Sequence, residues 1–262
     1  MQFFSYLING ISLGSVYALI ALGYTMVYGI AKMLNFAHGD VIMIGSYVVY
    51  FAFGASGLNP VLSIVLSMIV CTILGVVIER LAYRPLREAP SLAVLITAIG
   101  VSYLLQQVAQ LSWSSNPKSF TSVVSGMKPV SLFGGQLTIS AETIVTIVAC
   151  VVIMVVLMWF VNYTPAGHAM LAVSEDRGAA QLMGVNVNGT ISLTFAIGSA
   201  LAAIAGALLC SSYPTLQPTT GAMPGIKAFV AAVFGGIGSI PGAFVGGILL
   251  GIIENLSKAY IS

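Results

Sequence analysis

The chain of 262 residues is 58% hydrophobic and 6% charged, with a mean hydropathy of +1.04. Soluble domains carry about 25% charged residues, so this composition excludes one and describes an integral membrane protein with little mass outside the bilayer. The net formal charge of +2 is too small to point to nucleic acid or to a strongly acidic partner.

A membrane-spanning helix needs about 20 apolar residues. Strands of alternating polarity are absent from the sequence, so helices are expected to make every crossing. Residues 3–30 form the first span, with Gly10, Gly14, Ser15 and Gly23 providing small-residue surfaces for close packing. The first Lys or Arg is Lys32, so this segment lacks the basic flank of a cleaved signal peptide and reads as a span. A polar break over residues 31–40 holds Asn35, His38, Gly39 and Asp40. The apolar run that follows, 41–53, is short for a crossing and is either a complete short helix or a re-entrant one. Residues 54–60 read as a turn from their Gly, Asn and Pro.

Residues 61–78 span again, and 79–90 make the most charged loop, with Arg80, Arg84 and Arg87. Residues 91–111 return. A Ser-, Gly- and Pro-rich loop fills 112–140, with Trp113 at its membrane edge, and 141–163 span with Trp159 and Tyr163 marking the other interface. A polar island at 164–188 precedes the next span, 191–212, and a Pro/Thr/Gly loop occupies 213–225. Residues 226–255 are apolar but interrupted at 235–247 by GGIGSIPGAFVGG, and are expected to be two short helices meeting at a bend. The sum is an all-α polytopic membrane protein, a single transmembrane domain over 1–262 with about seven or eight transmembrane or re-entrant helices. Cys71, Cys150 and Cys210 fall inside apolar runs, without disulfide or metal spacing, and read as packing residues.

Arg and Lys near the span ends set orientation. The arginine loop and the 164–188 island are two spans apart and therefore share a side, and the three arginines make that side cytoplasmic. The 112–140 loop, which carries only Lys118 and Lys128, faces outward.

Three stretches stand out. In the 164–188 island, Glu175, Asp176 and Arg177 adjoin each other. Ser174 is placed as an N-cap, the two acids fall in the first helical turn, and Gly184 suits a left-handed C-terminal cap. Ala179, Ala180, Leu182 and Met183 give this short helix an apolar side. An interfacial helix lying on lipid is one reading, but such helices usually present Lys and Arg, and a protein partner fits the acidic balance better. In the polar break, Asn35 as N-cap and Asp40 near the first turn would stabilise a helix end. The same residues stand as a candidate gate or pathway with His38 and Gly39, because ionisable groups at membrane depth mark function. In the Gly-rich block, Gly235, Gly236, Gly238, Pro241, Gly242 and Gly246 are expected to serve packing or a bend. Neither His38 nor His168 has metal-ligand spacing, and no catalytic constellation emerges.

The run Gly167 to Asn186, with Gly167, Ser174, Glu175, Asp176, Arg177, Ala180 and Gly184, resembles the cytoplasmic coupling segment of the branched-chain amino acid type of ABC importer permease, the LivH-like family. Asn35-Phe36-Ala37-His38-Gly39-Asp40 with Gly45-Ser46-Tyr47, and Gly235 to Ala243 with Ile253-Glu254-Asn255, resemble further blocks of that family in the same order. His168 and Met170 stand where family members often have basic residues. Members also usually continue beyond Asn255 through another helix, so the resemblance implies a chain short of the family's usual last helix. It further implies a non-catalytic subunit of the bacterial inner membrane, working with two ATPase subunits, a second homologous permease or a second copy of itself, and an external substrate-binding protein. ATP and Mg would be bound by the ATPase partners and no cofactor by this chain. In keeping with that, the sequence has no G-x-x-x-x-G-K-[ST] phosphate loop. A sugar-type permease of the same superfamily and an ATP-independent secondary transporter are the alternatives. The latter would be expected to carry ionisable groups in mid-span.

Overall fold

The computed structural model describes residues 2–124, 129–132 and 137–261; Lys128 lies outside them. The helices run in the order α1 (Gln2–Ala31), α2 (His38–Val49), α3 (Pro60–Ile78), α4 (Ser91–Trp113), α5 (Ala141–Tyr163), α6 (Pro165–Glu175), α7 (Arg177–Leu182), α8 (Val187–Ser212), α9 (Ala222–Gly235) and α10 (Ile240–Tyr260). Wider π-type turns prolong α2 over Tyr50–Ala55 and α3 over Glu79–Tyr83. Short strands lie between α4 and α5 and after α8. Among them β1 (Lys118–Ser119) pairs with β4 (Thr215–Leu216), and β2 (Val130–Leu132) pairs with β3 (Leu137–Ile139).

Local chemistry sets most helix starts. The side chains of Asn59, Ser140, Asn186 and Ser239 accept hydrogen bonds from the first turns of α3, α5, α8 and α10, supplying partners for amides that a helix leaves orphaned. Pro60, Pro165 and Pro241 stand in the first turns of their helices, where a missing N–H costs nothing. Pro241 therefore starts a helix and does not bend one. The expected bend in the Gly-rich block is a full reversal, in which Gly236 (φ +88°) and Gly238 (φ +99°) carry left-handed backbone between α9 and α10. The two helices then pack antiparallel with Gly235 against Gly242, so close that a side chain on either would strike the other's carbonyl.

Six described helices are long and apolar enough to cross a membrane: α1, α3 with its extension, α4, α5, α8 and α10. Helices α2 and α9 are shorter and meet inside the molecule. The chain leaves α1 at Ala31 and doubles back, so that His38 packs edge-on against Tyr24 with ring centroids 4.8 Å apart. Tyr24 lies seven residues before the end of α1, about 10 Å at 1.5 Å per residue, so α2 begins well inside the bilayer and runs outward. Helix α9 begins beside it, with Gly221 against the carbonyl of Gly39, and runs to the opposite face. Of the two readings of 41–53, the short helix is the one seen: α2 begins within the bilayer and leaves on the outer face, and α9 is its counterpart toward the other face.

Helices α1 and α8 form the centre, buried along most of their length, whereas α3, α4, α5 and α10 are largely exposed and apolar outward. Lipid tails are as apolar as Leu, so burial alone does not hold such helices together and close van der Waals contact must. Helix α10 accordingly lays Gly247 on Ala18 and Gly251 on Gly14 of α1, backbone to backbone. At its outer end, Asn255 donates through Nδ2 to the Tyr6 carbonyl at 2.6 Å.

Lys32, Arg80, Arg84, Arg87 and Arg177 gather at one end of the helices, where Arg177 reaches the Ala31 carbonyl that closes α1. This is the cytoplasmic end by the distribution of positive charge. Lys118 and Lys258 lie at the other.

Candidate functional site

The 164–188 segment forms two helices. Thr164 caps the first: its Oγ1 accepts from the Gly167 amide at 3.0 Å and donates back to the Phe160 carbonyl at 2.6 Å. Gly167 is buried against the end of α5, where any side chain would strike the Phe160 and Val161 carbonyls. Met170 and Val173 face the core of the membrane domain, and His168 is exposed. Ser174 is not an N-cap. It lies within α6 and its hydroxyl donates to Leu171 O at 2.7 Å, because Thr164 has already started the helix ten residues earlier. Glu175 ends that helix and does not begin the next.

Asp176 is the residue between them. Its Oδ1 accepts from Gly178 N at 2.7 Å and Ala179 N at 3.0 Å, capping α7. At the far end Val185 N donates to Ala180 O and Gly184 N to Gln181 O, both at 3.0 Å, with Gly184 at φ +85°. That pair of bonds is the Schellman closure that a left-handed glycine permits. Ala180 is buried under α7. Leu182 and Met183 are 89% and 85% exposed and form an apolar tip at the cytoplasmic end. Arg177 turns inward to the C-terminal carbonyl of α1. Burial, and then the nearby Arg87 guanidinium, lower its affinity for its proton.

The second site is where α2 and α9 meet. Asn35 does not cap α2; its Oδ1 accepts from the buried Tyr83 hydroxyl at 2.9 Å, and the helix starts three residues later, at His38, on backbone bonds alone. His38 is buried over Gly23, with no hydrogen-bond partner for Nε2 among the described residues. Gly39 allows the close approach to α9. Asp40 does lie in the first turn of α2, and its Oδ1 accepts from Gln106 Nε2 of α4 at 2.8 Å. It borders a cavity of about 560 Å³ shared with Ser102, Gln106 and the apolar Leu95, Ile99 and Ile226. Two helix N-termini without side-chain caps, those of α2 and α9, lie beside this cavity.

Three polar arrangements tie separate elements together. Lys227 and Glu254 pair at 2.6 Å between α9 and α10, and Tyr17 donates to the same carboxylate at 2.8 Å. Glu79 is buried, bound by Arg87 and by Ser192 of α8 at 2.7 Å. Gln106 and Ser102 face Asp40 from α4, four residues apart on one helix face. That spacing is the one signal that was legible before the fold.

The profile of the family described as branched-chain amino acid transport system, permease component, matches residues 6–262. The high-affinity branched-chain amino acid transport system permease protein LivH of Salmonella typhimurium is 44% identical over 273 residues, covering 100% of this chain and 88% of that protein. The corresponding protein BraD of Pseudomonas aeruginosa is 46% identical over 260 residues, covering 95% of this chain and 84% of that one. The ribose import permease protein RbsC of Haemophilus influenzae is more distant, 27% identical over 257 residues, covering 92% of this chain and 73% of its own.

Proposed function

The chain belongs to the family of permease components of branched-chain amino acid transport systems, and from that premise we propose that it carries leucine, isoleucine, valine or close analogues across the bacterial inner membrane. The observation that supports this reading is the cavity where the two half-helices meet. Asp40 offers one carboxylate for a substrate ammonium group. The α2 and α9 N-termini offer positive dipole ends toward a substrate carboxylate. Leu95, Ile99 and Ile226 supply apolar surface for a branched side chain.

Movement would come from outside the chain. ATP and Mg bind to two partner ATPase subunits, and the α6–α7 segment is the point where their closure is transmitted. Its two short helices are held rigidly by Thr164, Asp176 and Gly184, and its apolar tip is left uncovered. A second permease chain and an external substrate-binding protein complete the importer. Two pairs of ionisable groups, Lys227 with Glu254 and Glu79 with Arg87, neutralise one another, which fits structural ties and leaves Asp40 as the carboxylate available to a substrate.

The test is uptake of labelled leucine into proteoliposomes that hold the chain with its partner ATPase subunits and binding protein. Uptake should require ATP and be competed by isoleucine and valine. ATP-independent uptake, or competition by ribose in their place, would overturn the reading.

A further inference from the structure

Beneath the coupling segment lies a pocket that the transport reading does not use. It has a volume of about 350 Å³ and lies between the cytoplasmic ends of α1 and α4 and the start of α7. Lys32, Arg87 and Arg177 all line it, with Tyr28, Ser91 and Val94 among the rest, and none of the described residues that line it is acidic.

A topology-setting loop would send its basic side chains separately into water. Here three cations from three different segments converge. Lys32 has left-handed backbone, at φ +52°, and forms no ion pair among the described residues. Arg87 is 13% exposed, and its pairing with Glu79 and Asn188 leaves Nε buried without a partner among the described residues. Arg177 is committed to the Ala31 carbonyl, which is not a charge. The acids nearby are already engaged or turned away: Glu79 by Arg87 and Ser192, Asp176 by the α7 amides, while Glu88 and Glu175 are exposed. The pocket also receives the N-terminus of α4, whose preceding Pro90 provides no side-chain cap. The positive end of a 23-residue helix thus adds to the three side chains. Burial first, and then the charge of Arg87 close by, make it harder for Arg177 to keep its proton.

We propose that this pocket binds a phosphate group, as carried by an anionic phospholipid headgroup of the inner leaflet. Basic pockets between transmembrane helices on the cytoplasmic side suit such headgroups, and guanidinium groups match phosphate oxygens in pairs. The bound phosphate relieves the repulsion between Arg87 and Arg177. It also ties α7 to the ends of α1 and α4, so the coupling segment is stiffened where a partner would push on it.

The purified full chain is titrated with phosphatidylglycerol, with phosphatidylcholine and with inorganic phosphate, and lipid retention is read by native mass spectrometry. Phosphatidylglycerol should be retained several-fold over phosphatidylcholine. Lys32→Gln should lower its retention about fivefold, the worth of one basic side chain at an anionic lipid surface. Ser91→Asp should abolish the preference by placing a carboxylate at the α4 N-terminus. Both positions are exposed, so both variants should keep the thermal midpoint of the parent. Displacement by millimolar inorganic phosphate supports the pocket with free phosphate as its occupant; resistance to it supports the headgroup. Equal retention of both lipids with no effect of phosphate, or a preference that survives both substitutions, would overturn the proposal.

Discussion

The hydroxyl of Tyr83 donates to Oδ1 of Asn35 at 2.9 Å, and both residues are buried. The bond joins the prolonged end of α3 to the loop from which α2 turns back into the membrane. Tyr83→Phe keeps the ring but leaves the Asn35 carbonyl oxygen without its partner, which costs about 1–3 kcal/mol in a buried setting. The thermal midpoint of the purified chain should fall accordingly. Tyr163→Phe, at a position 74% exposed, should leave it unchanged. Equal midpoints for the two variants would show that Asn35 finds another partner.

The contact of α1 with α10 makes a prediction of opposite signs. At Gly251 a methyl group would strike the Gly14 backbone, whereas at Gly100 on the outer side of α4 none of the described residues lies within 4 Å of one. Gly251→Ala should destabilise by about 1–3 kcal/mol or more, because two helix backbones must separate. Gly100→Ala should stabilise by up to about 1 kcal/mol through helix propensity. Midpoints measured in one detergent decide it, and a tolerated Gly251→Ala would mean that α10 is free to shift along α1.

Much of this architecture can be read from the residues alone. Apolar length places α1, α3, α4, α5 and α8, but it reads the 21-residue α10 as one of two short helices, because the glycines that reverse the chain run on into the start of that helix. The caps of the coupling segment are less legible, because Thr164, Ser174 and Asp176 are all good N-cap residues. What chooses among them is tertiary: Gly167 must pack on the end of α5, which fixes the start at Thr164 and leaves Asp176 to cap the second helix. Asn35 likewise looks like a cap until Tyr83, 48 residues away, takes its side chain. The meeting of α2 with α9 is hidden for a similar reason. It rests on Gly39 and Gly221 touching across most of the chain, and a single glycine in a polar loop carries no sign of what will approach it.

Asp40 separates a structural role from a transport role. As a helix-end charge its contribution is below about 1 kcal/mol, and Asp40→Asn would then cost little and leave transport kinetics alone. As the group that receives a substrate ammonium it must be ionised. Asp40→Asn, which preserves size and an oxygen for the Gln106 bond, should raise the KM for leucine uptake at least tenfold with little change in the thermal midpoint. Asp40→Glu should recover part of the loss. A KM unchanged in Asp40→Asn would leave Asp40 as a helix-end residue only.

The apolar tip of α7 makes the sharpest demand on the coupling segment. Leu182 and Met183 are almost fully exposed in the isolated chain, so replacing both with Asp should not disturb its fold or its thermal midpoint. If an ATPase subunit covers them, each buried side chain is worth about 1.5–3 kcal/mol, and Leu182→Asp with Met183→Asp together should weaken the complex at least a hundredfold. Co-purification of the ATPase should then fail, and substrate-stimulated ATP hydrolysis with it. Asp176→Ala acts differently. It removes the α7 cap, at about 1 kcal/mol, and should loosen the complex roughly fivefold while leaving the apolar tip in place. The order of the two effects distinguishes docking from a helix resting on lipid. A lipid-facing tip would release the chain's α7 from the membrane in the double variant yet leave the ATPase bound.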